Sequence, residues 1–270
     1  MKGKDIMNVL ITGATGGIGQ ELIEVFYKNS WSILAVGRNK KILEELKLKY
    51  GDKIEIYSRD IEKEEEIKKF LQEIENIEIN LLINGAGIGE IGEFENISLI
   101  EEQRMIDINI QALLTLTKHF YKKMLERKEG GIINISSTAG FQVGGPLMCG
   151  YYATKAYVNS LTFGLIEESR GKNIKIMLLC PGPTATNFKG MKREIVGVEK
   201  FYVTTPEEVA NQCYKDYISG KNLSIPGKVN KILYYLNRFI PWKIQLKNIE
   251  KIQRKKQKET LKKLYQLKET

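Results

Sequence analysis

The stretch of sequence that decides the fold is Thr12-Gly13-Ala14-Thr15-Gly16-Gly17-Ile18-Gly19. An apolar run leads into it and a helix-patterned segment leads out of it, and in that context a glycine loop can bind a nucleotide. Gly13 can turn where a side chain could not, and Gly17 lets the backbone approach a phosphate closely. The start of the helix offers free N–H groups and a positive dipole end to an anion. The alternative is an ordinary tight turn, because the spacing is G-x-x-x-G-x-G rather than G-x-G-x-x-G.

Short apolar runs alternate with helix-patterned segments along most of the chain. Because strands buried on both faces are continuously apolar, this alternation predicts a doubly wound parallel sheet, Rossmann-like, in three α/β/α layers. The predicted strands are Val9–Ile11, Ile33–Val36, Ile54–Tyr57, Leu81–Ile83, Ile132–Ile135, Ile176–Leu179 and a short one near Leu223–Ile225. The predicted helices are Gln20–Lys28, Lys41–Tyr50, Lys63–Ile74, Glu101–Glu126, Ala153–Arg170 and Pro206–Tyr217. We expect a single catalytic domain over residues 1–226 and an amphipathic, basic helical extension over residues 227–270.

Charge and cysteine content narrow the class of protein. The chain has 270 residues and a net charge of +9, of which +7 falls between Pro241 and Thr270, so the remaining body is nearly neutral. Three widely separated cysteines fit reduced cytoplasmic thiols rather than disulfides or a zinc site, and we expect no metal. We also expect no signal peptide and no membrane span, since no apolar run approaches about 18 residues. The expected location is the cytoplasm.

Two polar residues directly after predicted strands indicate how a nucleotide would be held, because ligands of such sheets bind beyond the carboxyl ends of the strands. Arg38 stands where an NAD-binding chain usually has an acidic residue, and its planar guanidinium suits a 2′-phosphate. The sequence therefore favours NADP(H) over NAD(H), and the alternative is a solvated helix start. Asp60 can accept a hydrogen bond from an adenine amino group, cap the helix that follows, or do both.

Further polar groups follow the other predicted strands. Asn84–Gly87 is rich in small residues, which let backbone lie against a cofactor. Ser137 follows the fifth strand, and Tyr151 and Lys155 share one face at the start of a predicted helix because they are four residues apart. Pro181–Thr186 forms an extended turn whose two threonine hydroxyls are available to bind a ligand.

Together these pieces resemble the short-chain dehydrogenase/reductase family. They occur in the family's order over about residues 7–190, and they are TGATGGIG, Asp60, NGAG at 84–87, Asn109, the serine pair at 136–137, YYATK at 151–155 and PGPTAT at 181–186. The resemblance implies an NADP(H)-dependent oxidoreductase that interconverts an alcohol and a carbonyl compound. It also implies a small-molecule substrate and a homo-oligomer that pairs through its long helices.

The resemblance assigns roles to individual residues. Tyr151 is the general acid/base, Lys155 its activator, Ser137 the group that orients the carbonyl, and Asn109 the holder of a water in the proton path. The cofactor-binding positions that it implies are Gly13, Thr15, Gly16, Gly17, Ile18, Gly19, Arg38, Asp60, Ile61, Asn84, Ala86, Gly87, Tyr151, Lys155, Pro181, Gly182, Thr184 and Thr186.

The chemistry of these residue types fits the implied reaction. Hydride transfer to a carbonyl leaves negative charge on oxygen, and a phenol with an ordinary pKa of about 10 can donate the proton. We expect the ammonium of Lys155 to lower the pKa of Tyr151 toward the working pH. Ser137 would hold the carbonyl oxygen and help to stabilise its charge.

Departures from the family pattern leave alternatives open. Gly85 replaces a second asparagine, and the gap from Ser137 to Tyr151 is one residue longer than usual, which leaves Ser136 as a rival for Ser137. Tyr152 is a rival for Tyr151, since it lies three residues before Lys155. A non-catalytic dinucleotide sensor that acts through its C-terminal extension is the alternative function, although it would not need the serine, tyrosine and lysine.

The substrate end and the tail carry weaker patterns. Apolar side chains in the cover after Thr186 suit a hydrophobic substrate or ordinary packing, and they are Phe188, Met191, Phe201 and Tyr202. The segment Ile232–Ile240 is amphipathic, and Pro241, Trp242 and a basic helix pattern follow it. We favour a helix docked on the body or on a neighbouring subunit. A peripheral contact with an anionic membrane is the alternative, and a nucleic-acid partner is not expected because aromatic residues are not interleaved with the basic ones.

Overall fold

A computed structural model describes residues 7–186 and 202–266, without the side chains of residue 256 and residues 259–266. Its centre is a sheet of seven parallel strands in the order β3-β2-β1-β4-β5-β6-β7. The strands are β1 Asn8–Thr12, β2 Ser32–Gly37, β3 Ile54–Ser58, β4 Leu81–Asn84, β5 Gly130–Ile135, β6 Ile174–Leu179 and β7 Leu223–Ser224. The predicted doubly wound parallel fold is confirmed. The predicted cover residues Phe188, Met191 and Phe201 lie outside the described residues.

Helices cover both faces of this sheet. They are α1 Gly17–Lys28, α2 Lys40–Tyr50, α3 Glu64–Glu73, α4 Leu99–Ile106, α5 Leu113–Arg127, α6 Cys149–Glu168, α7 Pro206–Ile218, α8 Lys228–Leu236 and α9 Trp242–Gln266. One apolar core joins the sheet to α1, α2 and α7, where Leu22, Leu43 and Val209 are fully buried. A second core on the other face joins it to α3 and α5, where Phe70 and Leu116 are buried. The three-layer arrangement follows from strands that are apolar on both faces.

The long predicted helix Glu101–Glu126 is not uniform. A capping box at Ser98 and Glu101 starts α4 two residues earlier than predicted, and a π-helical turn over Asp107–Ala112 separates α4 from α5. Such turns occur frequently at functional sites. Asn109 lies inside this turn, fully buried.

The capping role suggested for Asp60 is wrong. The N-cap residue of α3 is Lys63, and no side chain caps that helix, which begins at Glu64 rather than at residue 62 or 63. Asp60 instead lies in the connection between β3 and α3, and its atom Oδ1 is buried without a hydrogen-bond partner in the part of the chain that the structure describes.

The C-terminal extension packs on the body of the protein along one face of α9. The three residues Gln245, Ile249 and Gln253 are spaced four apart on this face, and each is at most 9% exposed. The Nε2 atom of Gln253 donates to the hydroxyl of Tyr152 at 3.1 Å, and Arg254 pairs with Glu93 at 2.7 Å. The division into a catalytic domain over residues 1–226 and an extension over residues 227–270 stays a prediction.

Candidate active site

The glycine loop is folded as a close-packed cradle between β1 and α1. Gly13 has φ +70°, and a Cβ atom there would lie 2.7 Å from the backbone nitrogen of Ala86. A Cβ on Gly19 would collide with the carbonyl oxygen of Gly13. Gly16 precedes α1 without any side-chain cap, so the first-turn amides of the helix are left for an anion. The loop therefore has the form that a dinucleotide phosphate requires.

Two other segments meet this cradle. The side chain of Thr15 packs on Gly37 at the end of β2, 2.7 Å from where a Cβ would stand, and so brings Arg38 next to the loop. The side chain of Thr186 lies 3.1 Å from the corresponding position on Gly17. The turn Pro181–Thr186 thus reaches the start of α1, while Ile18 packs against the core.

The adenosine side of the groove has a cation and an unpartnered acceptor. Arg38 is half-exposed and lies 3.9 Å from Glu62, a carboxylate that Arg104 already holds at 3.1 Å. The guanidinium of Arg38 is therefore available to an anion. The buried, unpartnered Oδ1 of Asp60 is an acceptor that a nucleobase amino group would satisfy.

Three predicted cofactor positions are engaged with other parts of the protein. Asn84 is buried, and its Nδ2 donates to Thr117 and Asn134, both at 2.9 Å, while its Oδ1 is buried without a partner among the described residues. Ile61 packs in the second core. Gly182 faces α8, because a Cβ there would collide with Asn230.

Ser137 and Tyr151 meet at the carboxyl edge of the sheet. The hydroxyl of Tyr151 is hydrogen-bonded to the side chain of Ser137, whose Oγ also accepts from the backbone of Ala139 at 3.1 Å. The neighbouring Ser136 is buried and donates to the backbone oxygen of Lys155 at 3.0 Å. The structure therefore brings Ser137, and not Ser136, to the tyrosine.

Lys155 lies beneath this pair, one helical turn after Tyr151. Its Nζ atom is 5.9 Å from the centre of the Tyr151 ring and donates to the backbone oxygen of Ile135 at 3.1 Å. The space beside Gly87 joins this ammonium to Asn109, because a Cβ on Gly87 would lie 3.3 Å from Nζ and 3.2 Å from Oδ1 of Asn109. The four predicted catalytic residues thus surround one corner of the groove.

Protein groups accept both donor hydrogens of the Asn109 side chain. Its Oδ1 accepts from the backbone nitrogen of Ile88 at 2.9 Å, and its Nδ2 donates to the oxygen of Ile88 and to Thr154. Because an amide has two donor hydrogens, none is left over for a water. In this structure the side chain fixes the loop after β4 to α6, and Oδ1 keeps one lone pair that could accept from a water.

Burial decides the protonation of the tyrosine and the lysine. Removal of the phenol from water raises the pKa of Tyr151 to about 12, and the hydrogen bond to Ser137 only partly opposes this. Burial lowers the pKa of Lys155 to about 8. The sequence predicts that Lys155 lowers the pKa of Tyr151, but in this structure that pKa is raised. The effect of removing the phenol from water is the larger one, and the ammonium of Lys155 donates to the backbone oxygen of Ile135.

A family comparison decides the identity. The model of the family "short chain dehydrogenase" matches residues 7–196. The chain belongs to the short-chain dehydrogenase/reductase family. It is therefore an oxidoreductase, as the resemblance implies. The residues that meet at this site are those that the resemblance assigns to catalysis.

Similar proteins extend over most of this short-chain dehydrogenase. A serine 3-dehydrogenase from Rhizobium radiobacter is 34% identical over 67% of the chain and 73% of its own length. The NADP-dependent 3-hydroxy acid dehydrogenase YdfG of Escherichia coli (strain K12) is 33% identical over 83% of the chain and 92% of its own length. A solved structure of a short-chain dehydrogenase from Sphingobium yanoikuyae in complex with NADPH has a TM-score of 0.74 and 26% identity, covering 87% of this chain and 97% of its own.

Two residues beside the site belong to the extension and are not identified from sequence. Ile249 packs with Ala139 and Tyr152, in a cluster that also includes Tyr151 and Met148. Gln253 is 4% exposed, and its Oε1 is buried without a partner among the described residues. The only signal in the sequence is their four-residue spacing within a basic helix. The rival Tyr152 is thereby assigned to packing, since its hydroxyl accepts from Gln253.

Proposed function

We propose that the protein is an NADP(H)-dependent oxidoreductase that interconverts a small or hydrophobic carbonyl compound and its alcohol, with Tyr151 as general acid/base. The observation that carries the proposal is the hydrogen bond between Tyr151 and Ser137, with Lys155 one turn away, at the mouth of the glycine cradle. When bound, the nicotinamide supplies or accepts the hydride. The residues that would hold the cofactor are those of the glycine loop, Arg38, Asp60 and the turn Pro181–Thr186.

The side chains of the chain divide the remaining work. Ser137 donates to the carbonyl oxygen and fixes its position, which stabilises the negative charge that develops there. Tyr151 donates its phenolic proton to the same oxygen, and Lys155 favours the phenolate that results because its ammonium lies near the ring. Asn109 keeps the loop after β4 against α6, so that Lys155 keeps its position.

The protonation of Tyr151 favours one direction. With a pKa of about 12 in this structure, the phenol is protonated at neutral pH and can donate at once. Alcohol oxidation needs the phenolate, whose fraction rises with pH. We therefore expect the rate of alcohol oxidation to rise with pH, while carbonyl reduction proceeds at neutral pH.

A panel of ketones and aldehydes, assayed with NADPH and with NADH, tests the proposal. The loss of absorbance of the reduced cofactor measures turnover. Turnover of any compound of the panel, faster with NADPH than with NADH, supports the proposed activity. The alternative is a dinucleotide sensor. It would show NADPH binding by calorimetry and no turnover across the panel, and removal of the extension from Pro241 would then abolish a partner's binding.

Arg38 supports the preference for NADP(H), since its guanidinium is half-exposed and only loosely paired with Glu62, at 3.9 Å, so that a 2′-phosphate can reach it. We expect Arg38→Asp to weaken NADPH binding by about 10- to 150-fold, because one charge-assisted hydrogen-bonded pair contributes about 1.5–3 kcal/mol. NADH binding should change less than threefold. Fluorescence titration with both cofactors measures the ratio, and Lys40→Asp, two residues along on the exposed start of α2, is the matched control. An unchanged ratio would place the phosphate contact elsewhere.

We propose that α9 forms a wall of the substrate site, because Ile249 belongs to a cluster with Ala139 and Tyr152 against which Tyr151 and Met148 pack. We expect Gln253→Leu to raise KM for the preferred ketone several-fold, because loss of the hydrogen bond to Tyr152 lets this part of α9 shift relative to the site. Steady-state kinetics should show kcat changed less than KM, with the Kd of NADPH unchanged. Asn248→Leu, on the exposed side of α9, is the control. Equal kinetic effects of the two variants would exclude a specific role for Gln253.

A further inference from the structure

Helix α8 is amphipathic, but much of its apolar side faces solvent rather than the core. Its buried side carries Asn230 and Tyr234, while large apolar side chains point to solvent. The exposed apolar residues are Ile232, Leu233, Tyr235 and Leu236, and Phe239 continues them in the next turn. We call these five residues the outer face of α8. A helix of a globular protein normally turns its apolar side inward, so this arrangement calls for a partner.

The inward side of α8 is held by specific bonds, which fix which side faces out. The Nδ2 atom of Asn230 donates to the backbone oxygens of Tyr202 and Pro226 at 3.0 and 3.2 Å. The ring of Tyr234 packs on Phe141 with the ring centres 4.5 Å apart, and its hydroxyl accepts from Arg238. Rotation of the helix to bury the outer face would break the bond from Asn230 to Tyr202 and the contact of Tyr234 with Phe141.

Aromatic and basic side chains extend the surface. Phe239 is 85% exposed, and Trp242 and Ile244 at the start of α9 are each at least half exposed. Between Gly227 and Ile249 the chain has no acidic residue and five basic ones, namely Lys228, Lys231, Arg238, Lys243 and Lys247. The surface therefore combines exposed aromatic and aliphatic groups with positive charge only.

We propose that the outer face of α8, together with Trp242 and Ile244, rests on the surface of a bilayer that contains anionic lipids. Apolar and aromatic side chains would enter the boundary between headgroups and acyl chains, and the lysines would lie among the anionic headgroups. Among the residues that the structure describes, none of the helices is both long enough and apolar enough to cross a bilayer. The contact is therefore in the plane of the surface, and it does not depend on the proposed function.

The charge argues against a second copy of this chain as the occupant. A two-fold interface places the same patch of both subunits together, so the five cations would face five more with no carboxylate of this segment between them. Lysine is also depleted in such interfaces. The homo-oligomer expected from the family would pair through the long helices, where α4 exposes Leu99 and Ile100.

Co-sedimentation of the full chain with vesicles tests the proposal. Vesicles of equal parts phosphatidylglycerol and phosphatidylcholine should carry down most of the protein at low salt, and vesicles of phosphatidylcholine alone at least tenfold less. Binding to the mixed vesicles should fall as salt rises, because charges at a surface are screened beyond about 10 Å at 0.1 M.

Two variants separate the apolar from the charged contribution. Phe239→Ser with Trp242→Ser, and Lys228→Glu with Lys231→Glu, should each lower vesicle binding at least tenfold while the thermal unfolding temperature stays within a few degrees. Leu48→Ser on α2, where Leu48 is 86% exposed, is the control and should bind like the parent.

Three results would overturn the proposal. They are no sedimentation with the mixed vesicles, equal binding of both variants and the parent, and a smaller mass by light scattering when the apolar variant is compared with the parent. The last result would assign the surface to a subunit interface instead. All three measurements are made without cofactor or substrate, so they are separate from any failure to find an oxidoreductase activity.

Discussion

Replacement of Tyr151 by phenylalanine is expected to lower kcat/KM for carbonyl reduction by about 10³-fold, within the range that general acid catalysis contributes. The phenylalanine ring keeps the packing against Ala139, Met148 and Ile249, so the change removes little besides the hydroxyl. NADPH should bind as before, because the glycine cradle and Arg38 are untouched. Stopped-flow or steady-state turnover and fluorescence titration of NADPH measure the two quantities on one preparation.

The adjacent residue supplies a matched control. Tyr152→Phe removes the same atom from the neighbouring ring, but among the described residues that hydroxyl accepts from Gln253 alone. We expect it to reduce kcat/KM less than tenfold and to lower the free energy of unfolding by about 1 kcal/mol, since the Gln253 amide loses its buried partner. Equal activity of Tyr151→Phe and the parent would remove Tyr151 from the mechanism and favour the sensor.

The sheet is predictable from sequence because its strands are apolar on both faces. The structure extends strands β1–β6 beyond the predicted runs by two residues at most, as for Ile132–Ile135, which becomes Gly130–Ile135. The start of a helix is predictable where the sequence has a capping residue or a proline in the first turn. Thr205, Pro206 and Glu208 form a capping box with proline in the first turn, and α7 begins where predicted. By contrast α6 begins at Cys149, four residues early, because no side chain caps it.

The residues of the site are predictable from their order, but their energetics are not. Motif spacing places Ser137, Tyr151 and Lys155 after the correct strands, whereas the balance between burial and charge depends on how deeply each group lies. The side chain of Asn109 is hydrogen-bonded to Ile88 and Thr154, and these partners are known only from the three-dimensional structure. The face of α9 that packs on the body is likewise not predictable, because the sequence of a basic helix does not indicate which of its turns contacts the rest of the protein.

Lys155→Met is expected to lower kcat/KM by about 10²–10³-fold, because the group that favours the phenolate of Tyr151 is lost. Methionine has a similar length and no charge, so the buried space stays filled. Activity assays of both variants and the parent measure the loss, and Lys172→Met, at an exposed lysine, should leave activity unchanged. Turnover within threefold of the parent would show that the ammonium takes no part in catalysis.

The same substitution should change the pH dependence of stability, with a sign that burial determines. Burial lowers the pKa of Lys155 from its ordinary 10.5 to about 8, so between these values the unfolded chain binds a proton that the folded chain has lost. The free energy of unfolding of the parent therefore rises with pH relative to Lys155→Met, by about 2 kcal/mol between pH 7.5 and 9.5. Below pH 7.5 the difference is nearly constant, because the lysine is charged in both states. Urea unfolding of the cofactor-free proteins at the two pH values measures this difference, and a parallel pH dependence would mean that the ammonium is hydrated rather than buried.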